Sequence, residues 1–381
     1  MDGTLIEAGA VRRMFAAASA LAIAACITLP AAAGADVLPE ESEEDLVKIE
    51  TPTVVKTVWD GTSYTSAADA AAGESVWYQV TGTLPSNLED FTFYAYEFHD
   101  YLDEALVVDL SSVSVEILRG GEMVEDVTSM FEVTLEQADG SWELVVATDD
   151  LLLAVTALEA TDTVLLSYAV SIDADAAQAG TNMGNYAYVR YTSKPFTDAF
   201  GRSVEDSASL YTWRLSVLKV DGDTLEELYG AKFTIQNEDG LWVDEDGTLS
   251  FEEVVLEVDY RGELCIDTLD SGVYTITEVE APSGYTAVEP FELVVSADLT
   301  GASPTLSAAA SSADVEVSVS AEDGTVQLLV CNGKSLVGQL FAKTGDALTR
   351  LWPMAAVVAV VAGCAAASAL VARRIARGTS A

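Results

Sequence analysis

The sequence predicts an all-β chain, two tandem β-sandwiches set between apolar terminal segments. Three observations carry this. Short runs rich in Val, Tyr, Phe and Thr recur from Pro52 onward, among them 75–80, 91–96, 112–118, 164–172 and 186–191. Hairpin-type pairs punctuate them at Asp60-Gly61, Gly120-Gly121, Asp139-Gly140, Asp239-Gly240, Asp246-Gly247 and Asp323-Gly324. Sustained helical periodicity is confined to the two ends, which argues against an α/β enzyme and for sandwiches.

Each segment follows in order. Residues 1–35 read as a secretory signal peptide. Arg12 and Arg13 precede the apolar run 14–29, and the small residues 31–35 follow, with Ala33 and Ala35 suiting cleavage before Asp36. Residues 36–51 form a solvated acidic leader. The first sandwich is expected over 52–212 and the second over 213–337, with the boundary near 211–215. The Ser- and Ala-rich stretch 297–313 reads as an extended loop before the last strand. Residues 338–350 hold the pentapeptide 341–345 and a short polar spacer, 346–350. The uncharged run 351–372 is long enough for a transmembrane helix, and Arg373, Arg374 and Arg377 hold the tail 373–381 in the cytoplasm.

Composition excludes several functions. Acidic side chains number 62 against 18 basic ones, and the formal charge of −44 repels nucleic acid and anionic membrane surfaces. A hydrophobic content of 50% marks the chain as folded rather than disordered. His99 is the only histidine, so neither a histidine-based metal site nor a Ser-His-Asp triad can be assembled. Asp244-Glu245-Asp246-Gly247 lacks the ligand ladder of a calcium loop and reads as a hairpin turn. No phosphate-binding glycine loop stands out, and no cofactor, metal or enzymatic activity is expected. Cys26 leaves with the signal and Cys364 lies in the apolar run. Cys265 and Cys331 remain; both have outward parity, and whether they pair as a disulfide outside the cell is left open.

Three motifs carry a family resemblance. Tyr274-Thr-Ile-Thr-Glu278-Val-Glu-Ala-Pro282-Ser-Gly284-Tyr285 resembles the YxLxExxAPxGY signature of the SpaA/CnaB-type, prealbumin-like domains of Gram-positive pilins. Leu218-Lys219-Val220-Asp221, Gly230-Ala231-Lys232-Phe233 and Val330-Cys331-Asn332-Gly333-Lys334 extend that likeness over 213–337. The first unit resembles the fimbrial isopeptide-forming, CnaA-like domain through 54–58, 73–80, 98–102 and 184–191. Phe341-Ala342-Lys343-Thr344-Gly345 resembles a sortase recognition pentapeptide, with Phe341 where leucine is common.

The resemblance implies two Ig-like sandwiches, each closed by a self-formed isopeptide bond. The first would join Lys56 to Asn185 with Asp100 as the acid, and the second Lys219 to Asn332 with Glu278 as the acid. Asn182 is a rival acceptor in the first unit. The resemblance further implies cleavage by a sortase between Thr344 and Gly345, with Thr344 passed to peptidoglycan or to another pilin subunit. The mature protein would then be a cell-wall-anchored, extracellular pilus subunit in adhesion, touching the membrane only through its C-terminal segment beforehand. The alternative is a monomeric adhesin or basal pilin that binds a host or cell-surface ligand. Backbone pilins commonly present a YPK-type lysine motif; this chain has none, and Lys194 is its nearest substitute.

Alternation checks the assigned residues independently, because strand side chains point to opposite faces in turn. Lys219 is in phase with Trp213, Leu215 and Val217, Glu278 with Tyr274 and Ile276, and Asn332 with Leu328 and Val330. Lys56 is in phase with Val54 and Val58, Asp100 with Tyr94, Tyr96 and Phe98, and Asn185 with Ala187, Val189 and Tyr191. Six polar residues on apolar faces need a reason, since a buried unpaired charge costs several kcal/mol. The plain alternatives are solvated strand residues at the second site and an ion pair at the first. The chemical reading is that burial favours a neutral amine, which can attack an amide, and a protonated carboxyl, which can move protons. Only seven lysines occur in the chain, and two stand at these positions, where an always-charged arginine could not serve.

Overall fold

The computed structural model describes residues 50–335 apart from 139, 156 and 321. The signal peptide with Ala33 and Ala35, the pentapeptide 341–345, the apolar run 351–372 and the arginine tail lie outside the described residues. Among the described residues no helix is long and apolar enough to cross a membrane.

The first part of the chain supplies β1 (Val54–Trp59), β2 (Tyr64–Thr65), β3 (Ala67–Asp69), β4 (Val76–Thr83), β5 (Tyr96–Asp103), β6 (Leu106–Arg119), β7 (Glu122–Asp126), β8 (Glu132–Ala138), β9 (Ser141–Thr148), a single helical turn α1 (Leu151–Ala154), β10 (Thr163–Ile172), β11 (Met183–Thr192), β12 (Phe200–Arg202) and β13 (Asp206–Tyr211). The second supplies β14 (Trp213–Asp221), β15 (Lys232–Asn237), β16 (Trp242–Val243), β17 (Leu249–Ser250), β18 (Leu256–Glu257), β19 (Glu263–Leu269), β20 (Gly272–Glu280), β21 (Phe291–Asp298), β22 (Thr305–Ala310), β23 (Val315–Ser320) and β24 (Thr325–Asn332).

These described strands assemble as two sandwiches. The first packs the sheet β2-β1-β4-β10-β6-β7 against the sheet β3-β13-β11-β5-β9-β8, with β12 beside β11. The second packs β19-β14-β24-β23 against β17-β16-β15-β20-β21-β22, with β18 beside β15. Each has its own apolar core, one running from Val54 to Leu210 and the other from Leu215 to Val330. Alternate residues of β1, β5, β11, β14, β20 and β24 point into these cores, as their sequence parity requires.

Two expectations need correction, and the open question of the cysteines is answered. The run 91–96 is not a strand; β5 begins only at Tyr96. Phe91 and Tyr94 are buried, but the Tyr94 amide donates to Asp150 Oδ1 and its carbonyl accepts from the Leu151 amide, so that backbone is satisfied outside any ladder. The stretch 297–313 contains β22, an edge strand paired with β21, and two strands follow it. Its alternating small side chains suit a half-exposed edge. Cys265 and Cys331 are both free. Their strands lie on either side of β14, opposite Ser216 and Val220 respectively. Two strand spacings already separate the backbones by ~9–10 Å, beyond the ~7 Å that a disulfide tolerates.

The sandwiches meet at a tight junction. Asp69 Oδ2, at the end of β3, accepts from the indole Nε1 of Trp213 at 2.6 Å and from the Ser271 amide at 2.8 Å. Gly180 and Gly324 have positive φ, and a Cβ on Gly180 would stand 2.6 Å from the Gly324 nitrogen, so only glycine fits that approach. Burial, with Glu74 and Asp69 as further causes, pushes the Asp270 carboxyl up to about 7. The folded chain therefore binds more protons here than the unfolded chain between pH about 4 and 7, and stability falls as pH rises through that window. Comparing urea midpoints at pH 5 and pH 8 is expected to reveal a loss on the order of 2–4 kcal/mol, which Asp270→Asn removes.

Candidate functional site

In the first sandwich β1 carries Lys56 inward between Val54 and Val58, while Asp206 Oδ2 accepts from the Lys56 backbone amide at 2.8 Å and fixes the strand. Asp100 arrives on β5 and Asn185 on β11, both from the facing sheet, and both are fully buried. Lys56 Nζ donates to Asp100 Oδ2 at 2.6 Å. Asn185 makes no hydrogen bond to that pair. Its Nδ2 donates at 2.8 Å to the hydroxyl of Tyr168, on β10, which donates at 2.7 Å to Asp100 Oδ2 and accepts from Lys56 Nζ at 3.0 Å. Tyr78 stacks on Tyr168 with ring centroids 5.7 Å apart, and the amine lies 5.0 Å from the Tyr78 centroid. Burial holds the Lys56 amine below its ordinary range, against the opposing pull of Asp100. Three polar atoms in this group lack hydrogen-bond partners: Asp100 Oδ1, Asn185 Oδ1 and the Tyr78 hydroxyl. The rival Asn182 is exposed.

In the second sandwich the amine and the carboxamide come from neighbouring strands. β14 and β24 pair in parallel, Lys219 opposite Val330 and Asp221 opposite Asn332, which brings the Lys219 side chain diagonally onto Asn332. Lys219 Nζ donates to Asn332 Oδ1, and also to the Val330 carbonyl at 3.1 Å. Glu278 reaches across from β20: its Oε1 accepts from Asn332 Nδ2 at 2.8 Å and lies 3.8 Å from the amine. The Val288 amide donates to its other oxygen at 2.8 Å. Lys219 has no exposed surface and Glu278 is 5% exposed. Burial brings the Lys219 amine down to about 8, with Glu278 opposing.

The loop Ala281-Pro282-Ser283-Gly284-Tyr285 explains why its residue pattern matters. Gly284 turns with φ 91°, and the Tyr285 amide donates back to the Pro282 carbonyl. Tyr285 then donates its hydroxyl to Asp221 Oδ2 at 2.7 Å, and the Thr286 and Ser335 amides donate to the Gly333 and Gly284 carbonyls respectively. The loop thereby clamps the end of β24 where Asn332 sits.

All six residues singled out by parity are buried, and they gather into two groups as paired. Sequence reasoning missed Tyr168 and Tyr78. Tyr168 has the same inward parity as Val164, Leu166, Val170 and Ile172, but a tyrosine in an apolar phase reads as core filling. Among the described residues no cluster suited to a metal ion occurs.

Residues 214–308 match the SpaA prealbumin-like fold domain. No curated protein matches the chain. Among solved structures, the chain is similar to the 35 kDa C-terminal fragment of the major pilin GBS80 of Streptococcus agalactiae, with 19% identity, TM-score 0.52, and coverage of 64% of this chain and 90% of that one. The group B streptococcus pilus 2b backbone protein follows at 18% identity and TM-score 0.50, over 74% and 98%. The full-length major pilin SpaD from Corynebacterium diphtheriae stands at 20% and 0.50, over 74% and 65%. At these identities the likeness speaks for the fold. The SpaA match spans β14 to β22 and includes Lys219 and Glu278, while Asn332 lies beyond its end.

Proposed function

We propose that the protein is a pilus subunit on the surface of a Gram-positive cell, each sandwich stiffened by a self-formed Lys–Asn isopeptide bond. One observation carries the reading: in each core a buried lysine amine shares one hydrogen-bonded group with a carboxyl and an asparagine carboxamide. The SpaA match and the pilins of similar fold support it.

The second site gives the clearer mechanism. A neutral Lys219 amine attacks Cγ of Asn332, forming the N–C bond; Glu278, hydrogen-bonded to Nδ2, delivers a proton as the C–Nδ2 bond breaks and ammonia leaves. The proton lost by the attacking nitrogen restores the carboxyl. The same balance applies to Lys56 and Asn185.

A sortase would cleave between Thr344 and Gly345 and pass Thr344 to peptidoglycan or to a lysine of another subunit. Among the described lysines, Lys194 is the exposed one without a carboxylate partner, on the loop between β11 and β12. In denaturing gels of wall extracts a high-molecular-weight ladder is expected, collapsing to one band with Lys194→Ala. A single band from the unaltered protein supports the monomeric adhesin instead, which the missing YPK-type motif favours. Intact mass of the exported protein is expected to fall short by two ammonia molecules; a full mass rejects the isopeptide reading.

A further inference from the structure

We propose that the Tyr168 hydroxyl is a catalytic residue for the first bond, passing the proton from Asp100 to the Asn185 nitrogen that leaves as ammonia. This rests on the isopeptide reading above. The two sites differ in one respect that demands such a group. At the second site the acid contacts the leaving nitrogen itself, Glu278 Oε1 lying 2.8 Å from Asn332 Nδ2. At the first site the acid is an aspartate, one methylene shorter, and its hydrogen bonds go to Lys56 and Tyr168 instead. The Tyr168 hydroxyl fills the gap, 2.7 Å from Asp100 Oδ2 and 2.8 Å from Asn185 Nδ2.

A phenol has one proton to donate and two lone pairs to accept with, and all three are used here: it donates to Asp100 and accepts from Asn185 Nδ2 and Lys56 Nζ. Burial pushes this hydroxyl well above its ordinary range, so it stays protonated and acts only as a relay. When Lys56 Nζ bonds to Cγ of Asn185, Nδ2 loses amide resonance and gains a basic lone pair facing the same hydroxyl. The hydroxyl turns its proton away from Asp100 Oδ2 toward that lone pair, the proton moves to Nδ2, the C–N bond breaks, and ammonia departs. The carboxyl of Asp100 reprotonates the phenolic oxygen, and the proton shed by Lys56 Nζ, 2.6 Å from Asp100 Oδ2, replenishes the carboxyl. Atoms and charge balance with no other reactant.

The test follows the Lys56–Asn185 cross-linked peptide by mass spectrometry over time after a pulse of synthesis of the full chain, with the Lys219–Asn332 peptide as internal reference. Tyr168→Phe is expected to slow the first bond on the order of 10²-fold and to leave the second unchanged. Asp100→Glu placed in the Tyr168→Phe chain restores the rate, because the longer acid can reach Nδ2 directly, as Glu278 does. A merely structural tyrosine predicts no such rescue. Tyr168→Phe forming the first bond at the unaltered rate overturns the proposal, as does slowing that Asp100→Glu leaves uncorrected. If the unaltered chain forms no Lys56–Asn185 bond, the isopeptide reading of this sandwich falls, and the relay with it. Should Tyr168→Phe lose the near-ultraviolet signal of the folded core, 3,5-difluorotyrosine at position 168, which keeps the ring and hydroxyl but makes the phenol more acidic, decides: a changed rate for the first bond alone supports the relay, and an unchanged rate rejects it.

Discussion

Lys219→Ala is expected to cost the second sandwich about 5 kcal/mol and to raise the intact mass by the one ammonia no longer lost, corrected for the substitution. The loop that a Lys219–Asn332 bond closes spans 113 residues. Chain-entropy reasoning assigns a cross-link of that length ~4.8 kcal/mol of stabilisation, acting through the unfolded state. The two joined strands are also neighbours in one sheet, β14 paired with β24 in parallel, so the bond would add strength along a line where hydrogen bonds already act. The first sandwich differs: Lys56 and Asn185 lie in facing sheets, and a bond there would staple the core from side to side. β13 follows Asn185 and leads directly into β14, so a pulling force would enter the first sandwich beyond such a staple. Domain-resolved unfolding of Lys219→Ala and Lys219→Met separates the cross-link from lost packing. Equal midpoints for both variants and the unaltered chain would mean that no covalent closure exists in this sandwich.

What alternation could reveal, it revealed. Lys56, Asp100, Asn185, Lys219, Glu278 and Asn332 each break an apolar phase, and a break of that kind is visible in one dimension. Tyr168 breaks nothing, since its ring belongs in a core; the hydrogen bonds of its hydroxyl to Asp100 and Asn185 emerge only when β10 and β11 are seen to face each other. The Cys265–Cys331 pairing fails for a related reason. Parity placed both thiols on an outer face, but the parallel pairing that slots β14 between their strands is a long-range relation that no local pattern encodes. The strand expected over 91–96 misled because Phe91 and Tyr94 are core residues held by an irregular backbone, and composition alone does not distinguish that from a ladder.

Asn332→Ala is expected to make stability depend on alkaline pH in a way the unaltered protein does not. Without an acceptor, Lys219 stays a free amine inside the core, where burial depresses it from 10.5 to about 8. Between these values the unfolded chain holds a proton that the folded chain has released, so stability rises with pH through the window. The full rise is about 3 kcal/mol; below pH 8 both states are protonated and the penalty of burying the ammonium is complete. In a cross-linked sandwich the same nitrogen is an amide and does not titrate, so this contribution is absent. Urea midpoints at pH 8, 9 and 10 for both proteins isolate the effect, because every other tyrosine and lysine is common to the two and cancels in the difference. A parallel rise in the unaltered chain would mean that its Lys219 nitrogen is still basic, and the bond to Asn332 would have to be abandoned.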